Sequence, residues 1–261
     1  MSNRLAVRQT GALARRSVLD TLRLPQAWFP SIFFPLTLMA IFTGSFTETF
    51  SRVPGFPDVP SFLDFAVAGA IVQGILIGGT SAGAAFATDI EGGFFDRLVA
   101  SPVSRAAILL GRLGGSVALG VGQAVLFIGI AVLFGARVEG GVAGFVLVLV
   151  LAAVFAVAVG GLGVYLALRT GSSEAVQGTF PLFFALMFFS SAFFPRETMD
   201  GWFRTIADLN PISYLVEGMR DLIIVGVEPR PTLISFGVAL ALAGAAVGAS
   251  ALAFRRRLGD G

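Results

Sequence analysis

The chain has 261 residues, 56% of them hydrophobic and 13% charged, with a mean hydropathy of +0.87. Soluble domains carry nearer a quarter charged residues, so this is an integral membrane protein. Cysteine and histidine are absent and all 18 basic residues are arginine, which excludes disulfide frameworks, Cys/His zinc sites, histidine-ligated haem, Ser-His or Cys-His catalysis, and a P-loop with its phosphate-binding lysine.

A bilayer crossing takes roughly 20 apolar residues, and six such runs predict an all-α polytopic fold. Residues 1–28 hold Arg4, Arg8, Arg15, Arg16 and Arg23 among scattered leucines and valines, the pattern of an amphipathic helix in the cytoplasmic interface. Pro25, Trp28 and Pro30 are expected to mark the bend into the bilayer, with Trp28 at headgroup depth. The apolar run starts too late for a cleavable signal peptide. The first span is placed at 29–46 and a Pro/Gly-rich outer loop at 47–61.

The second span, 62–88, carries Gly74-x-x-x-Gly78 and Gly79-x-x-x-Gly83. Such spacings let backbones approach closely, within one chain or across a dimer seam. A short charged segment, 89–105, separates it from the third span, 106–134. In that segment Phe94, Phe95, Leu98 and Val99 fall on one helical face, and Glu91, Asp96 and Arg97 on the other. Ser101-Pro102 ends this helix, because the residue before proline is pushed out of the α region, and Ser104 can cap the next.

The fourth span is expected at 142–168 and the fifth, crowded with phenylalanine, at 176–194. Residues 195–231 are too polar to cross. Met199, Trp202, Phe203 and Ile206 nevertheless make one helical stripe, and Asn210-Pro211 starts a second helix as cap and first residue, with Tyr214 and Leu215 on its apolar face. The sixth span, 232–254, stops at Arg255-Arg256-Arg257. With both ends cytoplasmic, the inner segments hold 12 arginines and the outer ones 6, which agrees with the positive-inside bias.

The run Glu91-Gly-Gly-Phe-Phe-Asp-Arg-Leu-Val-Ala-Ser-Pro-Val-Ser-Arg105, followed by Leu-Leu-Gly-Arg112, resembles the loop of ABC-2 type transporter permeases, and most of all the daunorubicin-resistance-type drug export permeases of actinobacteria. A second match lies at Phe194-Pro-Arg-Glu-Thr-Met-Asp-Gly-Trp202 and Leu209-Asn-Pro-Ile-Ser-Tyr-Leu-Val-Glu-Gly-Met-Arg220. With the six-span layout, the likeness covers essentially the whole chain. It implies a single transmembrane domain, 1–261, of G-type exporter architecture, in the cytoplasmic membrane of a bacterium. It also implies a second permease copy, identical or related, and two copies of a separate nucleotide-binding subunit that holds ATP and magnesium. Residues 91–100 would be the coupling helix that docks on that subunit, and 197–224 the re-entrant outer helices, with Trp202, Phe203, Asn210, Pro211, Tyr214 and Glu217.

For coupling, Phe94, Phe95 and Leu98 offer an apolar knob, and Glu91, Asp96 and Arg97 orienting charge. The plainer alternative sets both phenylalanines in the lipid interface, but an interfacial helix favours basic rather than mixed charge on its polar face. For the substrate pathway, Phe180, Phe183, Phe184, Met187 and Phe188 give a bulky, adaptable surface suited to apolar ligands, and lipid contact or core packing is the bland account of the same residues. Gln73 and Ile77, at mid-depth of the second span, are the pathway candidates there. Asp64, Glu174 and Glu217 lie near membrane boundaries, where solvation explains them. No charged group sits at the centre of a span, as a proton-coupled antiporter would need, and no nucleophile–base or metal constellation suggests an enzyme. The expected function is ATP-driven export of an amphipathic or hydrophobic small molecule such as a drug, antibiotic or lipid. Export of a lipid-linked glycan or polymer, an energy-independent channel and an antiporter are the alternatives.

Overall fold

The structure, a computed structural model, describes residues 3–23, 25–50 and 62–259; every regular element among them is helical. Helix α1 (Asn3–Arg23) is followed directly by α2 (Pro25–Phe50), with proline at the first helical position, where its missing N–H costs nothing. Pro30 and Pro35 lie inside α2 rather than before it, so the expected bend at Pro30 is not where the helix changes. Prolines of this kind are tolerated in membrane helices. The helix also outlasts its expected end at residue 46 by four residues. The rest of the expected outer loop, including Arg52, lies outside the described residues.

Helix α3 (Phe62–Glu91) is the axis of the bundle. It is hydrophobic all round, which marks a helix buried on every side. Of its apolar span 94% is buried, against 17% for α2. Around it stand α2, α5 (Arg105–Leu133) and α6 (Gly141–Thr170), while α11 (Pro229–Gly259) packs along α6. The glycine spacings of α3 serve this packing. A Cβ on Gly83 would lie 2.6 Å from Gly163 Cα of α6, and one on Gly74 2.9 Å from Ser31 O of α2. Of the two uses open to these glycines, helix contacts inside one chain are the ones made. Likewise α1 runs along α5, with Gly111 and Gly115 facing Leu13 and Ser17.

The apolar run 176–194, expected as one span, is not one helix. It divides into α7 (Ser173–Gln177) and α8 (Phe180–Phe188), separated by a turn at Gly178-Thr179, and α8 ends in further turns. Gly178 is a weak helix former, and Pro181 three residues later cannot donate the hydrogen bond that would carry a helix across the break. Among the described residues five helices, α2, α3, α5, α6 and α11, are therefore long and apolar enough to cross a membrane. The polar stretch that follows folds as expected into a 3₁₀ turn (Arg196–Thr198), α9 (Gly201–Leu209) and α10 (Pro211–Ile224). Asn210 caps α10 by accepting from Ile212 N at 3.0 Å.

Candidate functional site

The short helix of the charged segment, α4, spans Phe94–Ala100. It starts later than residue 91 because Gly92-Gly93 breaks the chain from α3, with Gly93 at φ +67°, a backbone that glycine adopts without steric cost. Glu91 is thus the last residue of α3 and not part of the short helix. At the other end Ser101, before Pro102, is extended at ψ 161°, and Ser104 Oγ accepts from Ala107 N at 3.1 Å to cap α5.

Phe95 is 1% exposed and enters a second core, at the α4 end of the bundle, with Ile108, Leu168, Val176 and Phe254. Its ring meets Phe86 of α3 and Phe254 of α11 edge-on, at 5.6 and 5.4 Å between centroids, the geometry that ring quadrupoles favour. Phe95 is therefore the root that plants α4 in the bundle, and not part of an outward knob. Its partner Phe94 is half-buried beneath the Arg16 guanidinium of α1, 3.7 Å from the ring centre. Leu98 is also half-buried, and Asp96 and Arg97 are exposed. The outward face of α4 is consequently charged, with apolar flanks.

Charge pairs tie the neighbouring helices together beneath it. Arg112 of α5 meets Asp89 of α3 at 3.1 Å, and Arg16 reaches the same carboxylate at 3.9 Å while pairing with Asp20 at 3.2 Å. Gln9 of α1 donates to Pro102 O at 3.0 Å and accepts from Ser104 N at 3.3 Å, holding the turn after α4. Glu91 accepts from Ser173 N at 2.6 Å and from its hydroxyl at 3.1 Å. A carboxylate here satisfies an otherwise unpaired N–H at the start of α7. Nothing in the sequence pairs Asp89 with Arg112 or joins Glu91 to Ser173, 82 positions away.

The expected pathway residues part into two groups. Phe183 and Met187 are buried in the main core, whereas Phe180 and Phe188 are exposed. Phe180, Phe184 and Phe188 stack along one edge of α8, with Phe34 of α2 and Phe193 at its sides. Ile77 and Phe180 border an open cleft between α2, α3 and the α7–α8 pair. Gln73 is instead buried against Pro35, Met39 and Phe193 beside a cavity of only about 20 Å³, and its Nε2 finds no hydrogen-bond partner among the described residues. It occupies a helix contact, and Phe183 and Met187 belong to the core, so these three do not border the open cleft.

At the opposite end, Trp202 is 69% exposed on α9 while Met199 is buried, so the stripe expected there does not form one face. Phe203 is half-buried beside Phe189. Tyr214 donates to Asp208 O at 2.7 Å, and Asn210 Nδ2 to Leu186 O and Phe189 O at 2.6 and 3.0 Å, binding α10 to the end of α8. Arg196 lies over the Tyr214 ring and pairs with Glu217 and Asp208. Burial opposes the charge on Arg196, but the Glu217 hydrogen bond and charge outweigh it, and its pKa is raised. Glu217 is thus bound in an ion pair rather than simply solvated. Asp64 is not simply solvated either: it is buried and accepts a hydrogen bond from the backbone N–H of Arg137 at 3.0 Å.

Sequence reasoning missed Arg220. It is buried, donates to Phe65 O, Ser191 O and Ala192 O at 2.9 to 3.2 Å, and lies 3.5 Å from the Phe65 ring centre. The available signal was an arginine four positions after Val216 and three before Ile223, the spacings that share one helix face, here the buried one.

A family model, ABC-2 type transporter, matches residues 8–224, a stretch that holds both the α4 seat and the outer helices. The chain belongs to the ABC-2 type transporter family. It is 30% identical over 192 residues to the daunorubicin resistance ABC transporter permease protein DrrB1 of Streptomyces coeruleorubidus, a match covering 73% of this chain and 66% of that protein. It therefore spans just under two thirds of that relative's length. It is also similar to the ycf38 proteins of Porphyra purpurea and Pyropia yezoensis, at 31% and 28% identity. Those matches cover 82% and 83% of this chain and 73% and 74% of theirs. In this ABC-2 type protein, the segment that the sequence likens to a coupling loop is the α4 seat, rooted by Phe95 and bounded by Glu91 and Arg105.

Proposed function

We propose that this chain is the membrane permease subunit of an ATP-driven exporter for amphipathic or hydrophobic small molecules, with α4 as the element that receives force from a nucleotide-binding subunit. The observation that carries this reading is the seating of α4. A helix exposing Asp96 and Arg97 while Phe95 is locked between α3 and α11 is a rigid lever whose outer face is free to dock. Closure of two ATP-loaded subunits must reach the membrane helices through such a contact, because a ligand shifts a conformational equilibrium only by its differential interaction with the two states. The family membership and the drug-resistance relative support the same reading.

In this account two permease copies, most simply identical, associate with two nucleotide-binding subunits that hold ATP and magnesium. The α7–α8 pair crosses as a broken segment, which gives six crossings and places both ends in the cytoplasm of a bacterial cell. The coupling contact comprises Asp96, Arg97 and the half-buried Phe94 and Leu98. Phe95 positions them, and Glu91 passes movement from α3 to α7 through Ser173. Substrate meets Ile77 and the exposed aromatic edge of α8, at Phe180, Phe184 and Phe188. The outer helices, from Trp202 to Glu217, cover the external end.

The test is ATPase activity and flux in nanodiscs and proteoliposomes, with the chain co-expressed beside a candidate nucleotide-binding subunit. Co-purification, and loss of substrate-stimulated ATPase in Arg97→Glu with the permease still folded, would support the proposal. Flux from the chain alone, without any ATPase subunit, would put the channel alternative in its place.

A further inference from the structure

Two clefts open on either side of the same stretch of α3. One, of about 450 Å³, lies between α1, α3 and α5, and its wall includes Arg16, Asp20, Arg23, Asp89 and Arg112. The other, of about 440 Å³, lies between the start of α2, α3 and the α7–α8 pair, and is bordered by Gln26, Ile77, Thr80, Gln177 and Phe180. Both are lined by Ser81, Ala85 and Thr88, which recur on one face of α3, and Ala85 and Thr88 are exposed. The clefts are therefore the two ends of one groove across α3, passing the α1–α2 junction. One end is charged; the other is uncharged, with the polar Gln26, Thr80 and Gln177 set beside the apolar Ile77, Ala84 and Phe180.

The charged end has a defined sign. Asp20 is answered by Arg16, and Asp89 by Arg112 and Arg16. Arg23, the last residue of α1, is exposed and has no carboxylate partner among the described residues. Three guanidiniums against two carboxylates leave one cation at the rim. Depth agrees: Ser81 lies ten residues before the end of α3, about 15 Å at 1.5 Å per residue, so the groove runs from headgroup level into the acyl layer.

We propose that this groove holds an anionic phospholipid of the inner leaflet. Its phosphate rests on Arg23 and the open edge of Arg16, and an acyl chain passes over Ala85 towards Phe180. Basic pockets between membrane helices on the cytoplasmic side take headgroups in this way. A cationic amphiphile fits less well, since both carboxylates are already paired. The site rests on the proposed cytoplasmic placement of this end of the bundle and would stand whether or not ATP drives transport.

The test is native mass spectrometry of the full chain, released from micelles containing equal phosphatidylglycerol and phosphatidylcholine. Phosphatidylglycerol is expected to remain bound in preference, and Arg23→Gln to weaken its retention about fivefold, as loss of one basic residue near an anionic surface implies. Ala85→Trp, which fills the groove at an exposed position, should displace the lipid, and Arg204→Gln on exposed α9 should change nothing. Equal retention of the two lipids, or retention indifferent to both Arg23→Gln and Ala85→Trp, would overturn the proposal. Displacement of phosphatidylglycerol by equimolar glycerol 3-phosphate would overturn it too, because the site would then be one for free phosphate and not for a lipid.

Discussion

The two ends of this molecule fasten short helices to long ones by opposite means. At one end, α10 is stapled by a buried arginine whose donors are spent on backbone carbonyls of α3 and of the turn after α8. At the other, α4 is held by one ring in an aromatic socket and by ion pairs that are partly open to water. Removing a partner from a buried, hydrogen-bonded charge is expensive, whereas partly exposed pairs exchange readily with solvent. The α10 end is thus built to stay closed on itself. The α4 end is built as a root with movable charged contacts around it, which suits the transmitting role proposed for α4.

The sharpest way to break this comparison is at Arg220. Arg220→Met should cost about 4 kcal/mol, since it strips charge-assisted donors from buried carbonyls, and should lower the Tm of the purified protein markedly. A small shift would mean that α10 is not stapled as described. Phe95→Ala comes next, at about 3 kcal/mol for emptying an aromatic core position. It should also uncouple ATPase activity from transport in the assembled complex, an effect that Phe254→Leu, which keeps most of the socket filled, should show only weakly. Asp89→Asn is expected to cost about 1 kcal/mol, in keeping with a partly exposed pair, with restoration in an Asp89→Asn/Arg112→Gln double variant measured by a thermodynamic cycle. Additive losses would show that the pair is not coupled. The smallest stability effect, within about 0.5 kcal/mol as for other exposed sites, belongs to Arg97→Glu, whose consequence should be loss of docking alone. A large Tm drop there would contradict the exposed placement of Arg97.

Much of the architecture could be read from periodicity. The starts and ends of α3, α5, α6 and α10 were expected to within a few residues, because long apolar runs and the caps at Ser104 and Asn210 are local signals. The break inside 176–194 was equally local in origin, in Gly178 and Pro181. It was hidden because a run of phenylalanines satisfies a hydropathy criterion whether or not its backbone is continuous.

Family and membrane class were decided by the sequence, since composition and a linear motif survive without any fold. The tertiary structure alone decided which way each of those side chains faces. Phe94 and Phe95 are neighbours of the same type, yet one lies under Arg16 and the other in the core, because a helix turns each successive residue by about 100° and only packing chooses the buried side. The pairings of Glu91 with Ser173, Asp89 with Arg112, and Arg220 with Ser191 O join positions distant in the chain. Contacts of that kind are made by folding and leave no trace in local pattern.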